Sequence, residues 1–200
     1  MQCPTPTSIA DPHKKHKSNR ITVPCGKCGA CRKTRRNEWA FRLSQELKTA
    51  KNAYFITLTY SDENLPFTPD GVITLDKKDL QNFQKRLRKL QKKQWPETKY
   101  RYYAVGEYGT ETDRPHYHII AFNVAPDCLR NLSTLWPFGI HHIGTVTTGS
   151  IFYVAKYHVN AVKADDDRVP EFATMSRRPG IGHNYVKKKW TGTGKMETFM

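Results

Sequence analysis

The sequence predicts an α+β fold with a central antiparallel sheet and helices packed mainly on one face. From the first strand onward the predicted order is strand, helix, hairpin, helix, strand, helix, which is typical of such layered folds. The hairpin is a second indication, because residues 100–106 and 116–123 are rich in β-branched and aromatic side chains and flank a polar loop. The third is the apolar stripe on the longer helices, which needs a sheet to cover.

The first half of the chain predicts an arm, two helices and one strand. Residues 1–24 contain several prolines and no hydrophobic period, so we expect an extended arm. A helix follows at about residues 32–51, and residues 54–60 alternate as a strand does. Asp76 is placed to cap a second helix that reaches about residue 94 and is basic on its outer face. Its buried stripe is predicted to be Leu80, Phe83, Leu87 and Leu90.

The second half of the chain predicts two more helices and one more strand. Pro126 suits the first turn of a short helix, and residues 142–148 form a weaker strand. Ser150 is placed to cap a helix that runs from Ile151 to about Val162. After Lys163 the chain turns polar, and we expect little structure there.

The composition predicts one domain that binds a phosphate-rich partner. The chain has 200 residues, with 33 Lys and Arg against 18 Asp and Glu, a net charge of +15. The basic residues are clustered, which favours nucleic acid, although solvated lysine faces would give the same count. No apolar run is long enough to cross a bilayer and the amino terminus is no signal peptide, so we expect a soluble intracellular protein.

The five cysteines indicate a metal site or free thiols in preference to a disulfide framework. Three of them recur at intervals of three residues, and a fourth lies on the arm, so together they could form a tetrahedral zinc site. Reduced thiols and an iron–sulfur cluster are the alternatives, and His13 or His16 could replace the cysteine of the arm. We expect Cys128 to be a packing residue. The candidate zinc ligands are Cys3, Cys25, Cys28 and Cys31.

Two histidines and two tyrosines carry the chemistry that the sequence suggests. His116 and His118 alternate on a predicted strand, so both side chains project from one face and can reach one ion. Tyr153 and Tyr157 lie four residues apart on a predicted helix and project in similar directions, with Lys156 beside them. Each pair alone is more often structural, but together with a basic surface they predict a tyrosine that attacks nucleic acid with the help of a metal.

The predicted reaction needs a phenolate and a divalent ion. Ionising a tyrosine at pH 7 costs about 4 kcal/mol, and the cationic Lys156 would lower that cost. A bound ion would polarise a phosphate oxygen, and a phosphotyrosine would conserve the bond energy for rejoining. Two imidazoles need a carboxylate partner, for which Glu107 at the end of the preceding strand is the first candidate, with Glu111 and Asp113 as alternatives. Mn²⁺ or Mg²⁺ suits such ligands.

The same residues carry a family resemblance. Phe55-Ile-Thr-Leu-Thr-Tyr60, Arg114-Pro-His-Tyr-His-Ile-Ile120 and Tyr153-Val-Ala-Lys-Tyr157 resemble, in order, the three motifs of the HUH rolling-circle replication initiators. Further stretches are similar to the replication initiator of the Microviridae, especially of the gokushovirus branch. These stretches are Gly106-Glu-Tyr-Gly109, residues 23–32 and Ser176-Arg-Arg-Pro-Gly-Ile-Gly182.

The resemblance implies an HUH DNA endonuclease and strand transferase of the two-tyrosine type. Its fold would have ferredoxin- or RRM-like topology, with the tyrosine helix over the histidine strand. One tyrosine would nick the phage origin and keep the 5′ phosphate, and the second would end the round of rolling-circle replication. The implied metal ligands are His116, His118 and Glu107, and the implied catalytic residues are Tyr153, Tyr157 and Lys156.

The resemblance also implies an organisation and a set of partners. We expect an N-terminal arm with the cysteine cluster at residues 1–31, a nicking domain at 32–165 and a basic extension at 166–200, with a truncation at Met200 left open. The partners would be single-stranded origin DNA, the supercoiled double-stranded replicative form, and a helicase and polymerase of the host, in the bacterial cytoplasm and without a membrane. Residues expected to bind DNA are Lys85, Arg86, Arg88, Lys89, Arg114, Arg177 and Arg178.

Two other interpretations stay open from the sequence. A non-catalytic nucleic-acid-binding protein could stack bases on Tyr102, Tyr103 and Tyr117 of a similar sheet. A tyrosine transposase of the same superfamily would share the chemistry but move DNA instead of copying it.

Overall fold

The computed structural model describes residues 2–14, 19–157 and 167–186, and of Tyr157 only the backbone. The predicted helix beyond Tyr157, the side chain of that tyrosine and residues 187–200 of the predicted extension lie outside the described residues. The strands are β1 (Thr7–Ala10), β2 (Arg20–Val23), β3 (Ala53–Tyr60), β4 (Arg101–Tyr108), β5 (Pro115–Phe122), β6 (Gly139–Thr145) and β7 (Phe172–Met175). The helices are α1 (Gly29–Thr49), α2 (Lys77–Gln94), α3 (Pro126–Arg130), α4 (Leu132–Leu135) and α5 (Thr148–Tyr157), with a 3₁₀ turn at Asp62–Asn64.

Five strands form one antiparallel sheet in the order β6-β3-β5-β4-β7. The segment from β3 to β6 has the element order βαββαβ, and its four strands lie in the order fourth, first, third, second, which is the ferredoxin-like arrangement. The predicted α+β class with a central antiparallel sheet is confirmed. Because β5 pairs with β3 on one side and β4 on the other, its backbone is fixed along both edges.

The helices lie on both faces of the sheet, so the expectation that they pack mainly on one face was wrong. Helices α2, α3 and α4, the helices inside the ferredoxin-like unit, cover one face and enclose a core that includes Phe83, Tyr117 and Trp136. Helices α1 and α5 cover the other face with a smaller core that includes Leu43 and Val154. The sequence pattern shows which side of a helix is apolar, but it does not show which face of the sheet that side meets.

Helix capping at two sites tests the predictions directly. Asp76 caps α2 as predicted, its Oδ1 accepting from the N–H of Lys78 at 2.6 Å and of Asp79 at 3.2 Å. Ser150 does not cap α5, which begins two residues earlier at Thr148. Thr147 is the cap, because its Oγ1 accepts from the N–H of Ser150 at 3.1 Å and its own N–H donates to Ser150 Oγ at 2.8 Å. This reciprocal pair is a capping box in which Ser150 is the third helical residue.

The expectation of little structure after Lys163 was also wrong. Strand β7 pairs with β4 and extends the sheet past the boundary predicted at residue 165. The turn that follows is held by Arg101, whose guanidinium donates to the carbonyls of Pro179 at 3.0 Å and Gly180 at 2.7 Å. Arg101 is itself buried in an ion pair with Glu46 of α1. Residues 167–186 therefore pack as part of the same domain.

The amino-terminal arm is extended as predicted, but it folds back into a hairpin. Strands β1 and β2 pair in antiparallel register from Thr7 opposite Val23 to Ala10 opposite Arg20. Almost every residue of the two strands is exposed. Of the helices in the described part of the chain, none combines the length and the apolar composition that crossing a bilayer would require.

Candidate active site

Strand β5 presents its histidines to the face that α1 and α5 cover. Side chains alternate along a strand, so His116 and His118 share this face while Tyr117 points into the opposite core. The register places His116 opposite Glu107 of β4, and His118 opposite Thr57 of β3. Residues opposite each other in a sheet lie on the same face, so all four polar side chains converge in one place.

His118 lies at the centre of this cluster and is held on three sides. Its Nε2 lies 2.8 Å from Glu107 Oε1, and its Nδ1 lies 3.0 Å from Thr57 Oγ1. The ring of Phe55 stacks on the imidazole at 5.3 Å between centroids. With the proton on Nδ1 and donated to Thr57, the Nε2 lone pair faces the carboxylate side of the site and is available to a metal.

His116 is oriented in the same sense by its own backbone. Its Nδ1 lies 2.6 Å from the carbonyl oxygen of Arg114, which can only accept, so Nδ1 carries the proton. The Nε2 atom is then the basic nitrogen of this ring as well. The two imidazole centroids lie 6.3 Å apart, with the planes inclined by 47°.

Glu107 joins the histidine strand to the tyrosine helix. This residue is 4% exposed, and its Oε1 accepts a hydrogen bond of 2.5 Å from the hydroxyl of Tyr153. The same oxygen is the one that contacts His118, whose ring meets the ring of Tyr153 edge to face at 5.3 Å. One carboxylate oxygen therefore lies within hydrogen-bond distance of an imidazole and a phenol.

Helix α5 is fixed so that Tyr153 projects over β5. Ile151, Val154 and Ala155 are buried against the sheet and α1, so the helix cannot rotate without exposing them. Tyr153 lies at the edge of this packed stripe and is 37% exposed. The Nζ of Lys156 lies 4.1 Å from the centroid of the Tyr153 ring, close enough for a cation–π interaction.

The histidines and Glu107 have the donor chemistry of a site for a hard divalent ion. Two imidazole nitrogens and one carboxylate suit Mn²⁺ or Mg²⁺, and each histidine has an orienting partner on its other nitrogen. Within the described ranges, the four amino-terminal cysteines are the only set of three or more potential ligands with all ligand atoms within 4.8 Å of one another. His116 therefore has to move toward Glu107 to complete a three-ligand site.

The residues expected to bind DNA do not form one surface. Four of them are on α2, which lies across the sheet from the histidines, and Arg86 among them donates to the carbonyl of Leu135 at 2.9 Å. Arg114 donates to the carbonyl of Tyr60 at 2.7 Å and pairs with Asp62. Arg177 and Arg178 are on the turn after β7. A single strand lying against Tyr153 would not reach the four residues on α2.

Some residues of the site were missed by the sequence reasoning. Thr57 was recognised as a strand residue only, although its register opposite His118 gives it the orienting role. Glu171 precedes β7, in the stretch where little structure was expected. Burial raises the pKa of the Glu171 carboxyl, the negative charge of Glu107 raises it further, and Lys156 opposes both effects. Glu171 is thus a second carboxyl group facing the site, and no motif in the sequence signals it.

The tyrosines that a base-stacking surface would need are in the interior. Tyr103 and Tyr117 are fully buried, and Tyr102 is 7% exposed. Helices cover both faces of the sheet, so the open face on which an RRM-like protein stacks bases does not exist among the described residues. The expectation that these three rings stack on bases was wrong.

Comparison with known proteins gives the class to which the chain belongs. Residues 53–161 match the family model described as replication-associated protein ORF2, and the chain belongs to this family. The matched segment runs from the start of β3 past the end of α5, so it contains every residue of the candidate site except Glu171. The family resemblance drawn from the three motifs is thereby confirmed.

Three curated relatives are replication-associated proteins of bacterial viruses. ORF2 of Spiroplasma virus 4 is 36% identical in a match that covers 82% of this chain and 57% of that protein. VP4 of Bdellovibrio phage phiMH2K is 30% identical, with 84% and 58% covered, and ORF4 of Chlamydia phage 1 is 30% identical, with 74% and 40% covered. The chain thus spans between 40% and 58% of these relatives' lengths. No solved structure matches significantly.

Proposed function

We propose that this protein is a replication initiator that nicks and rejoins single-stranded DNA at the phage origin through a covalent 5′-phosphotyrosine. The observation that carries the proposal is the contact of Glu107 Oε1 with both His118 and the Tyr153 hydroxyl. A candidate metal ligand and a candidate nucleophile therefore meet at one carboxylate oxygen, close enough to act on the same phosphate. The family membership supports the role in replication.

His116, His118 and Glu107 are the residues that would hold the divalent ion. When bound, Mn²⁺ or Mg²⁺ supplies Lewis acidity toward a non-bridging oxygen of the scissile phosphate. Thr57 and the Arg114 carbonyl keep the two Nδ1 protons in place, which leaves both Nε2 atoms as ligands.

Tyr153 is the proposed first nucleophile. Its phenolic proton is donated toward Glu107, and the ammonium of Lys156 beside the ring favours the phenolate. The phenolate oxygen bonds to phosphorus as the bond to the 3′ oxygen breaks. The leaving oxygen takes up a proton and becomes the 3′ hydroxyl that primes synthesis, while the 5′ phosphate stays on the protein. Tyr157, one helical turn further on, is the proposed second nucleophile.

The partners follow from this activity. The substrates would be single-stranded origin DNA and the supercoiled double-stranded replicative form, and the host would provide the helicase and polymerase. A purely non-catalytic binder is the less favoured function, because the tyrosines that it would use for stacking are buried.

The experiment is a search for a covalent adduct between the protein and labelled single-stranded oligonucleotides that tile the phage origin. We expect an adduct that resists denaturation, needs Mn²⁺ or Mg²⁺ and is absent with EDTA. Changing both Tyr153 and Tyr157 to Phe should abolish the adduct, whereas the single changes should leave some cleavage or block only strand transfer. Tyr54→Phe, on the opposite face of the sheet, is the matched control. Full activity in the double variant would refute the assignment.

A further inference from the structure

The amino-terminal cysteines lie together, although the sequence separates the first from the others by more than twenty residues. Cys25, Cys28 and Cys31 flank the start of α1, and Cys3 precedes β1. The four Sγ atoms all lie within 4.8 Å of one another. The Sγ atoms of Cys3 and Cys28 are 3.8 Å apart, and those of Cys25 and Cys31 are 4.0 Å apart.

These separations are those of a tetrahedral metal thiolate. Four sulfurs at the usual zinc–sulfur distance of about 2.3 Å stand roughly 3.8 Å from one another. A disulfide would need sulfurs about 2.0 Å apart, and all five cysteines are free thiols. We propose that Cys3, Cys25, Cys28 and Cys31 bind one structural Zn²⁺ that ties the β1–β2 hairpin to the start of α1.

Backbone donors around the sulfurs support this proposal. The N–H groups of Lys27 and Cys28 both point at the Sγ of Cys25 with donor–acceptor distances of 3.4 Å. The N–H of Cys25 lies 3.4 Å from the Sγ of Cys3, and that of Cys31 lies 3.5 Å from the Sγ of Cys28. Such donors stabilise the negative charge of thiolate ligands and fix their directions.

The charge at the start of α1 points the same way. The first two turns of the helix carry Arg32, Lys33, Arg35 and Arg36 and no acidic residue in the first turn. Cations at a helix amino terminus are disfavoured by the helix dipole. Four thiolates and one Zn²⁺ carry a net charge of about −2 at this end, which would offset both the dipole and the neighbouring cations.

The hairpin also needs such an anchor. A two-stranded hairpin is marginally stable by itself in water, and β1 and β2 bury almost nothing. Hydrophobic packing therefore cannot hold it in place, whereas a metal bound by one residue before the hairpin and three after it can. The anchor is distinct from the nicking site, and the proposal does not depend on the proposed reaction.

The first test is the metal content of the full-length protein, purified under reducing conditions without chelators. We expect about one zinc per chain and no iron or acid-labile sulfide. Cys28→Ser and Cys3→Ser should each lower the zinc retained against a chelator by about tenfold or more. Cys128→Ala, which removes a buried cysteine far from the cluster in sequence, should keep the full content. Zinc retained in Cys28→Ser would overturn the proposal, as would iron with sulfide or a disulfide in the wild-type protein.

A second measurement decides the matter even if the Cys28→Ser protein does not fold. Cobalt exchanged into the Cys128→Ala protein should give the visible absorption of a tetrahedral cobalt thiolate, and a mercurial reagent should release the metal as four thiols react. Hydrogen exchange should then speed up in residues 3–31 on metal removal, while β5 stays protected. A cobalt spectrum without thiolate bands would overturn the assignment of the four sulfurs.

Discussion

The two faces of the sheet use the same kinds of side chain for opposite purposes, and neighbouring residues of β5 show this most directly. The hydroxyl of Tyr117 is within 3.0 Å of the Tyr60 hydroxyl and donates to the carbonyl of Asp76 at 2.8 Å. The imidazole of His118, one residue later, faces Glu107 and a tyrosine that is 37% exposed. One strand thus carries a stabilising network on one side and a reactive one on the other.

The comparison between Tyr117 and Tyr153 explains how a phenol becomes available for chemistry. Burial raises the pKa of Tyr117 well above its ordinary value, so the residue stays protonated and serves as a hydrogen-bonding core residue. Tyr153 is reached by solvent and has a carboxylate and a lysine beside it. The position of the ring relative to the two helical layers, and not the residue type, separates the two roles.

The largest expected effect is on the stability of the face that α2 covers. Phe83 is fully buried there and meets the ring of Trp136 edge to face, with 6.3 Å between the ring centroids. Phe83→Ala should lower the free energy of unfolding in urea by about 3–5 kcal/mol, because it removes a large side chain and leaves a cavity. Phe67→Ala, at a residue that is 58% exposed, should change it by less than about 0.5 kcal/mol.

The same variant tests whether the two faces are separable. Under conditions in which Phe83→Ala is still folded, its rate of adduct formation should equal that of the wild-type protein. A large loss of nicking in the folded variant would show that the α2 face also takes part in the reaction.

A smaller effect in energy is expected from the site face. Glu107→Gln keeps the shape of the side chain but removes the charge that a divalent ion needs, so adduct formation should fall by about 100-fold. The matched control is Glu97→Gln, at an exposed residue, which should leave the rate unchanged. Adduct formation in Glu107→Gln at the wild-type rate, with the same metal dependence, would remove Glu107 from the site.

The smallest expected effect is a pH dependence of stability that originates in the tyrosines of the α2 face. Desolvation raises the pKa of Tyr60, Tyr100 and Tyr117 above the unfolded value near 10. Above about pH 10 the unfolded chain loses these protons while the folded protein keeps them, so folding stability falls as the pH rises. Below that pH the contribution is fully present.

Tyr117→Phe isolates one of these protons. In urea unfolding between about pH 9 and 11.5, stability of the variant should fall less steeply than that of the wild-type protein, by up to about 1.4 kcal/mol per pH unit. Lysine titration affects both proteins alike and cancels in the difference. Identical slopes would contradict the assignment of a raised pKa to Tyr117.

The sequence was sufficient for the parts of the fold with strong local signals. The alternation in β3, the capping aspartate of α2 and the His-x-His spacing in β5 each depend on a few neighbouring residues, and each prediction agrees with the structure. The cap of α5 was misassigned because Thr147 and Ser150 are both good capping residues, three positions apart, and bond to each other.

Features set by distant contacts could not be predicted. Strand β7 has four residues and no marked alternation, and it forms because β4 offers it an edge. Glu171 reaches the site only through that pairing. The placement of α2 across the sheet from the histidines depends on the three-dimensional crossover, so its basic face was assigned to the DNA path without any local signal for or against.

The most direct test of the central claim is to identify the residue that carries the nucleotide after the first cut. Trypsin cleaves after Arg130, Lys156 and Lys163, so it places Tyr153 and Tyr157 in different peptides, 131–156 and 157–163. Mass spectrometry of the digested Mn²⁺-dependent adduct should find the nucleotide on Tyr153 in the longer peptide. An adduct found only on Tyr157 or on a tyrosine of the α2 face, or no adduct on any origin strand, would contradict the account.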